Sequence, residues 1–389
     1  MTRALVHHGG LAPHLAASLA GEDMRARAAQ ALQKLQQPQA DAGDWRDAAF
    51  ALACLGETAL ASQLLQQALA QSRSYVLPCA QQPPRLRLLM LLVAGDLAAN
   101  APLDCLLVGS GIAITQTYVD ETPFSYADLP EHDVLFVAVA HAPEHRSLLQ
   151  HLQRQLSDWP RPLLDQPQAL LGLDRVDVAR QLQGLPGLWA PATQSYTREQ
   201  LATAALSWPC IIRPAGSQAG QGLARLDVAP ELQDYLQGQT ASTYTLAPFV
   251  DYRRPDGLYA KMRLALIDGV AWPCHYALSE HWMVHYVNAG MYEDAAKRAA
   301  EASFMAGFAA WVQPHAALLA EISRRLNLSY VLLDAAELAD GRLLLFEADH
   351  AMVVHAMDDA QKFPYKQLYM ARVRDAMVAC LLRHAGVGA

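Results

Sequence analysis

The chain has 389 residues, of which 52% are hydrophobic, and its formal net charge is −8. This length predicts about two or three domains with enough apolar material for packed cores. The acidic balance, without a cluster of Lys and Arg, argues against nucleic acid or an anionic membrane as the partner. The 6 scattered cysteines predict reduced thiols, and neither a disulfide framework nor a zinc finger. The opening residues lack the apolar core of a secretory signal, so a cytoplasmic location is expected.

Residues 1–83 predict an all-α segment, because Ala, Leu and Gln recur there at helical spacing. Small residues at 56–61 and 68–69 stand where two antiparallel helices would meet, which is similar to the second half of a tetratricopeptide repeat. An independent solenoid needs about three repeats, so this single copy is expected to lean on the following domain. A peptide-binding groove, a homodimer surface and a helical cap without a ligand all remain open for it.

Residues 84–171 predict a small α/β domain that follows a linker at 81–85. The run at 134–140 is almost continuously apolar, as in strands that are buried on both faces of a parallel sheet. Strands precede an amphipathic helix in an order that favours such a sheet. These elements are predicted at 86–93, 112–119, 134–140 and 144–156.

A candidate anion-binding loop follows a short β-run that ends at Arg213. Gly216, Gly220 and Gly222 stand in this loop, and glycines let backbone N–H groups close around an anion such as a phosphate. The spacing fits neither a Walker A loop nor a dinucleotide fingerprint. Taken alone, such a loop is more often a flexible turn.

The stretch 258–267 alternates strongly and predicts a strand. Tyr259, Lys261 and Arg263 share one face of it, because side chains two residues apart on a strand point the same way. Two cations beside an aromatic ring form either a solvated edge or a wall that faces phosphate groups.

The stretch 272–288 is crowded with histidine and aromatic side chains and predicts a functional loop. His281 and His285 have the i,i+4 spacing of metal ligands on a helix, but no further ligand at suitable spacing accompanies them, which argues against a metal. Two helices are predicted earlier in the chain, where Asp174 and Thr197 are suitable N-caps. Two further helical regions are predicted after this stretch, at 292–325 and 365–384.

A β-hairpin is predicted around Asp340 and Gly341, since Asp-Gly is a strong signal for a two-residue type I′ turn. Counting back along both strands places Asp334 opposite Glu347, with Asp349 one step further on the same face. The apolar part of that face near the turn would consist of Leu338, Leu343 and Leu345.

These carboxylates would repel one another if they shared one face of a hairpin. Partly buried, they would need raised pKa values or a cation, and oxygen donors of this kind suit Mg²⁺. In the alternative, they are simply solvated at a frayed strand end. The hairpin by itself does not decide between the two.

In order and spacing, these features resemble the ATP-grasp superfamily over residues 84–389. The resemblance implies an α/β and α+β fold with an α/β pre-domain at 84–171 and an ATP-grasp domain at 172–389, preceded by the all-α helical-repeat segment predicted at 1–83. Its nucleotide half would span about 172–248, and its metal and substrate half about 249–389. The matching stretches are Asp174-Arg, Arg213-Pro-Ala-Gly-Ser, Ala247-Pro-Phe-Val, Arg263 before Asp268-Gly, and Asp334 with Glu347-Ala-Asp.

The resemblance also implies a role for each matched residue, although Arg175 and Arg213 stand where lysine is common and Asp349 replaces the usual Asn. The residues expected to bind ATP are Arg175, Arg213, Gly216, Ser217, Gly220, Gly222, Ala247, Phe249, Val250 and Lys261. Those expected to bind Mg²⁺ are Asp334, Glu347 and Asp349. Arg263 is expected to stabilise the transferring phosphoryl group, and the candidates for substrate contact are His275, His285 and Asn288.

The implied activity is an ATP- and Mg²⁺-dependent carboxylate–amine ligase. Such an enzyme activates a carboxylate as an acyl phosphate, which an amine or another nucleophile then attacks. A repeat-like N-terminus makes a peptide or protein an attractive substrate. Two alternatives remain, namely an adaptor with a degenerate ATP-grasp domain and an ATP-grasp phosphotransferase.

Overall fold

The structure is a computed structural model that describes residues 5–217 and 220–387. The chain divides into two compact units: unit 1 consists of Met1–Leu171 and His350–Ala389, and unit 2 consists of Gly172–Asp349. In the described part of the chain, no helix combines the length and the apolar character that a membrane crossing requires.

The described strands of unit 1 are β1 (Val6–His7), β2 (Ser74–Val76), β3 (Leu86–Leu92), β4 (Ile112–Tyr118), β5 (Val134–Val137) and β6 (Leu163–Leu164). They form a six-stranded sheet in the order β1-β2-β4-β3-β5-β6. β3 pairs in parallel with both β4 and β5. Leu89 and Phe136 on these central strands are fully buried, as near-continuous apolar runs in a parallel sheet require. The predicted parallel pairing is therefore confirmed for β3, β4 and β5, whereas β2 pairs antiparallel with β4.

The helices of unit 1 before residue 172 are α1 (Ala12–Leu19), α2 (Met24–Lys34), α3 (Ala42–Cys54), α4 (Thr58–Gln71), α5 (Leu103–Leu106), α6 (Arg146–Gln155) and α7 (Pro167–Leu170). Side chains cap the N-termini of two of these helices. Asp23 accepts hydrogen bonds from the first backbone N–H groups of α2, and Asp41 and Asp44 form a capping box at the start of α3.

The N-terminal segment is not all-α, because β1 and β2 place its two ends in the sheet of unit 1. The expected helix pair is present as α3 and α4, which pack against each other. A tetratricopeptide-like repeat is not evident. The physical reason lies in what α3 buries: Arg46 is fully buried, and its Nη1 donates to Gln116 Oε1 on β4 at 3.0 Å, so the helix covers the sheet.

Unit 2 contains a four-stranded antiparallel sheet in its first half. In chain order the elements of this half are α8 (Arg175–Leu182), β7 (Leu188–Trp189), β8 (Gln194–Thr197), α9 (Arg198–Leu201), β9 (Cys210–Pro214), β10 (Ala224–Leu226), α10 (Pro230–Gln237) and β11 (Thr243–Pro248). As far as it is described, this sheet has the order β10-β9-β11-β8. Both predicted N-caps in this region are confirmed, since Asp174 caps α8 and Thr197 caps α9 in a capping box with Gln200.

The second half of unit 2 is built on a five-stranded sheet. Its elements are β12 (Tyr259–Ile267), β13 (Val270–Ser279), α11 (Ala295–Val312), α12 (Ala316–Leu326), β14 (Tyr330–Glu337) and β15 (Leu343–Asp349). Among the described residues the order is β13-β12-β14-β15-β7. The region predicted to be helical at 292–325 contains two helices, because Pro314 lies in a 3-10 turn at Gln313–His315 and cannot continue the α-helical hydrogen bonding. The chain then returns to unit 1 with α13 (Pro364–His384).

The β14–β15 hairpin places Asp334 opposite Glu347 as predicted, but its turn and register differ from the prediction. Leu338 N donates to Arg342 O at 2.8 Å, so the turn has one residue more than the type I′ turn predicted, and Gly341 with φ of 82° takes its left-handed position. A bulge between Asp334 and Ala335 then shifts the register back.

The two departures offset each other at the acidic end of the hairpin, and Asp334 faces Glu347 as predicted. Between the bulge and the turn the register is one residue away from the prediction. There Ala336 faces Leu344, so Leu344 lies on the acidic face. Leu343 and Leu345, which were predicted for that face, lie on the opposite one.

Candidate active site

One row of charged residues crosses four neighbouring strands of unit 2. His275 on β13 faces Arg263 on β12, Arg263 faces Asp334 on β14, and Asp334 faces Glu347 on β15. Residues directly opposite one another in a sheet share a face. The same face therefore carries Lys261, which is two residues from Arg263 on β12. The sheet thus brings predicted phosphate, metal and substrate residues into one row, named the charged row below.

Asp334 lies at the centre of the charged row and is 4% exposed. Its Oδ1 accepts from Arg263 Nε at 2.8 Å, and its Oδ2 accepts from Arg263 Nη2 at 3.0 Å and from Lys261 Nζ at 2.9 Å. Burial alone would raise the pKa of Asp334, but the charges of Arg263 and Lys261 lower it far below the usual range of a carboxyl. The carboxylate is therefore ionised and held between two cations.

Glu347 is held by a cation from a distant part of unit 2. Arg175, the first residue of α8, donates from Nη2 to Glu347 Oε1. The Nε of Arg175 is buried and makes no hydrogen bond to any described residue. A buried donor without a partner is costly, so this guanidinium has capacity for a further acceptor.

Arg213 stands at the end of β9 and begins the glycine-containing loop. Its Nε donates to Ser217 Oγ at 2.9 Å, which closes the first part of the loop. Burial, followed by the charge of Arg175, lowers the pKa of Arg213 to about 10, so the guanidinium stays protonated at neutral pH. Since the charges of Arg175 and Glu347 act on it, Arg213 adds a further cation near the Glu347 end of the charged row.

The predicted glycines have left-handed backbone where the loop is described: φ is 74° at Gly216 and Gly220 and 65° at Gly222. Residues 218 and 219, which belong to the predicted lid, lie outside the described residues. A Cβ on Gly220 would lie 2.8 Å from Nε2 of His285, so this part of the loop closely approaches a predicted substrate residue.

The segment 280–294 between β13 and α11 carries His285 and Asn288. Burial lowers the pKa of His285, and the charge of Lys261 lowers it further while Asp334 opposes this, so the imidazole is neutral at neutral pH. The structure therefore brings His285 to the cationic side of the charged row. Asn288 is exposed in a 3-10 turn at Val287–Ala289, and its substrate role stays a prediction.

The predicted adenine-reading segment follows β11. Ala247 pairs with Ile211 of β9, whereas the pairing of β11 with β8 ends at Leu246. Phe249 N donates to Pro209 O at 3.0 Å, and the Arg225 guanidinium lies 4.1 Å from the centre of the Phe249 ring. The roles of Ala247, Phe249 and Val250 in nucleotide recognition stay predictions.

Sequence reasoning missed Glu301, a fully buried carboxylate on α11. Its Oε2 accepts from the hydroxyl of Tyr286, whose ring stacks on His275 of the charged row with 4.7 Å between ring centres. The sequence around Glu301 alternates alanines with charged residues and is typical of a solvated helix. Nothing in it distinguishes a buried Glu from an exposed one.

The predicted Mg²⁺ ligands fit such an ion by their chemistry but are not assembled for it. Carboxylate oxygens are the donors that Mg²⁺ prefers. However, protein cations already engage both oxygens of Asp334 and one of Glu347. The charged row contains no group of three described acidic, imidazole or thiol side chains with ligand atoms within 4.8 Å of one another. The oxygens predicted to bind Mg²⁺ are thus largely paired with protein cations in this structure.

No family model and no curated protein matches the chain. The chain is similar to the solved structure of a RimK domain protein ATP-grasp from Sphaerobacter thermophilus, with 13% identity and a TM-score of 0.45 over 75% of this chain and 99% of that one. It is also similar to the VanG D-Ala:D-Ser ligase from Enterococcus faecalis, with 11% identity and a TM-score of 0.47 over 76% and 99%.

A D-alanine–D-alanine ligase from Bacillus anthracis, complexed with ATP, gives 12% identity and a TM-score of 0.41 over 75% of this chain and 98% of that one. All of these TM-scores lie below 0.5. The functional assignment therefore rests on the residues of the charged row and the groups around it.

Proposed function

We propose that this chain is an ATP-grasp-type ligase that uses ATP and Mg²⁺ to activate a carboxylate as an acyl phosphate and joins it to an amine or another nucleophile. One observation carries the proposal: acidic and basic side chains pair along the charged row. Asp334 pairs with Arg263 and Lys261, and Glu347 pairs with Arg175. A triphosphate with its divalent ion presents the complementary pattern of charges.

The pairing also explains how the site would accept its ligand without creating buried, unpaired charge. An isolated buried charge is strongly unfavourable, and the protein pairs avoid it before the nucleotide arrives. Phosphate oxygens can replace carboxylates as partners of Arg175 and Lys261, because both groups are anionic acceptors of N–H donors, and Arg213 adds a further cation for them. The carboxylates of Asp334, Glu347 and Asp349 would then hold Mg²⁺, which supplies charge neutralisation of the terminal phosphates when bound.

Phosphoryl transfer depends mainly on positioning and electrostatic stabilisation, and little covalent work falls to side chains. Arg263 lies beside Asp334 in the row and its side chain is 17% exposed, so its guanidinium is suited to stabilise negative charge on the transferring phosphoryl group. His275 and His285 would contact the acceptor, together with Asn288. The loop that contains Gly216, Ser217, Gly220 and Gly222 would cover the nucleotide and exclude water from the acyl phosphate.

The nucleotide base would lie against the segment with Ala247, Phe249 and Val250, whose backbone would read the adenine edge. The acid and the amine are proposed only as classes, with a peptide as one form of the acceptor. A phosphotransferase would differ in its product, because it would leave a stable phosphoester in place of an amide. Product analysis of the ADP-releasing reaction separates the two.

The test of the proposal is Glu347→Gln, which removes one carboxylate charge and keeps the shape of the side chain. For the wild type, Mg²⁺ with ATP at about 100 times its Kd should raise the free energy of unfolding by about 3 kcal/mol. For the variant this increase should be absent, while the melting temperature without ligand should stay near that of the wild type. Thermal unfolding with and without Mg²⁺ and ATP measures both.

Glu321→Gln is the matched control. Glu321 also pairs with arginines, Arg324 and Arg325, but it lies on α12 away from the charged row. This control should keep the full protection by Mg²⁺ and ATP. Equal protection of Glu347→Gln and the control would remove Glu347 from the metal role and would count against the proposed function.

A further inference from the structure

The carboxylate of Glu301 connects α11 to two parts of the second half of unit 2. It is 0% exposed, and both of its oxygens accept hydrogen bonds. Oε1 accepts from the backbone N–H of Tyr276 on β13 at 2.8 Å, and Oε2 accepts from the hydroxyl of Tyr286 at 2.8 Å. A buried carboxylate is tolerated when its oxygens are hydrogen-bonded, so these contacts determine where Tyr286 can lie.

The first contact fixes the edge of the sheet. β13 is an outer strand in the order β13-β12-β14-β15-β7, so alternate backbone groups along it have no strand to pair with among the described residues. Glu301 satisfies one of these groups, the N–H of Tyr276, beside His275 of the charged row. The helix therefore holds the strand at the position where that row ends.

The second contact fixes the segment 280–294. The ring of Tyr286 stacks on His275 at 4.7 Å with 22° between the ring planes. Its chain neighbour His285 lies under the electrostatic influence of Lys261, Asp334 and Arg263. One tyrosine thus links both predicted substrate histidines to a single buried anchor.

Two further residues of α11 hold the same segment. Lys297 Nζ donates to Ala289 O at 2.9 Å, and Arg298 Nη1 donates to Met291 O and Tyr292 O at 2.9 Å each. These bonds reach the backbone beyond Tyr286. The position of the segment is therefore set by α11 along much of its length, and Glu301 supplies the contact closest to the charged row.

We infer that Glu301 is a positioning residue that holds His275 and His285 at the acceptor side of the charged row by way of Tyr286. This inference rests on the proposed function, because it assigns the two histidines to the acceptor. Glu301 itself does not touch the reacting groups. It acts by restricting where the imidazoles lie when the acyl acceptor binds, and small displacements of positioned groups reduce rates strongly.

The test is Tyr286→Phe, which removes the hydroxyl that donates a hydrogen bond to Glu301 and keeps the ring that stacks on His275. The turnover number for ADP release should fall about tenfold, the rate equivalent of one hydrogen bond to a charged group. The KM for ATP should stay within about twofold of the wild type, because this bond lies outside the groups assigned to the triphosphate. Glu301→Gln, which keeps an acceptor oxygen, should retain more activity than Glu301→Ala.

Tyr276→Phe is the matched control. The Tyr276 hydroxyl accepts from Arg254 at 2.6 Å, and the variant leaves the backbone bond to Glu301 intact. Its turnover number should equal that of the wild type. The double variant Tyr286→Phe with Glu301→Gln should lose no more activity than the more impaired single variant, since both changes act on the hydrogen bond between Glu301 and Tyr286.

Amide hydrogen exchange over 280–294 provides a readout that does not depend on turnover. Exchange in this segment should rise in Tyr286→Phe and not in Tyr276→Phe. If the wild type releases no ADP with any acceptor, the proposed function fails while this exchange result still supports the anchor. The inference is overturned if Tyr286→Phe leaves exchange unchanged, or if exchange rises in an active enzyme whose turnover number does not change.

Discussion

Two buried aspartates of this protein have pKa values that are shifted in opposite directions. Asp334 in unit 2 and Asp104 in unit 1 are each 4% exposed. Burial raises the pKa of either carboxyl, but Arg263 and Lys261 contact both oxygens of Asp334 and reverse the effect. For Asp104 burial prevails over the charge of Arg46 and raises the pKa to about 6. Direct contact with cations, more than burial, decides the direction in which each pKa shifts.

This difference gives opposite contributions to stability as pH changes. The folded pKa of Asp334 is depressed, so its contribution is present above the unfolded pKa and is lost as pH falls. The folded pKa of Asp104 is raised from 3.8 to about 6, so the folded state binds the proton more tightly. Its ionisation therefore reduces the free energy of unfolding as pH rises through about 4 to 6, by about 3 kcal/mol at pH 7.

Asp104→Asn should raise the free energy of unfolding at pH 7 and should flatten its decrease between about pH 4 and 7. The amide keeps one acceptor oxygen and removes the cost of an ionised buried group. Urea denaturation at pH 5 and pH 7 measures the effect, with exposed Asp158→Asn in the same unit as the control. A variant that is less stable than the wild type at both pH values would show that Arg46 and Gln116 require the ionised form.

At the scale of elements, close contacts with side chains determine the backbone course of the loops around the charged row. The glycine-containing loop shows this most clearly at Gly222. A Cβ there would lie 2.6 Å from Cδ of Pro214, and Gly222 O accepts from the Tyr235 hydroxyl at 2.6 Å. Proline is rigid, so the loop can return along β9 only where no side chain intervenes.

Gly222→Ala should therefore lower the melting temperature and weaken the protection by Mg²⁺ and ATP. Gly257→Ala is the matched control, because Gly257 also has a positive φ of 85° but a Cβ there would meet nothing within 4 Å. Both variants carry the cost of a left-handed alanine, about 1 kcal/mol, and the clash with Pro214 is added in Gly222→Ala alone. Thermal unfolding with and without ligand compares them. Equal losses in both variants would contradict a special role for the loop.

At the scale of the whole molecule, every residue assigned to the site lies within unit 2, between Arg175 and Asp349. Unit 1 is formed by the chain before and after it, Met1–Leu171 and His350–Ala389. The ion pairs of the charged row are also internal to unit 2. The proposed nucleotide site should therefore not depend on residues of unit 1.

A fragment of residues 172–349 should unfold cooperatively and should be stabilised by Mg²⁺ and ATP. The same fragment with Glu347→Gln should unfold similarly without ligand and gain no protection. Circular dichroism melts of both fragments make the comparison. Protection that appears in the full chain and is absent from a folded wild-type fragment would show that unit 1 contributes to the nucleotide site.

Local patterns in the sequence were sufficient for the strands of the charged row and for part of its content. Period-two alternation placed Lys261 and Arg263 on one face of β12, and the Asp-Gly turn placed Asp334 opposite Glu347. The turn itself was predicted one residue too short, and the bulge beyond it was not foreseen. Both depend on packing around the hairpin, which a two-residue motif does not encode.

In the N-terminal segment, too, the features that depend on local patterns were predicted and those that depend on distant residues were missed. Its helices were predicted from their spacing, whereas the strands β1 and β2 at its ends were missed because each has only 2 or 3 residues. Strands this short have no readable periodicity and exist by pairing with residues far along the chain. Arg46, which the helix pattern presents as an ordinary charged residue, is buried with its guanidinium 3.8 Å from the centre of the Tyr75 ring on β2.

The sequence by itself thus determined which residues alternate, where helices begin, and which carboxylates face each other across one hairpin, because these depend on neighbours within a few residues. Tertiary structure decided the partners of those groups. Arg263 and Asp334 are 71 residues apart, and Arg175 and Glu347 are 172 apart. Only the order of strands in the sheet and the placement of α8 and α11 bring such residues together, since no local rule relates side chains at those separations.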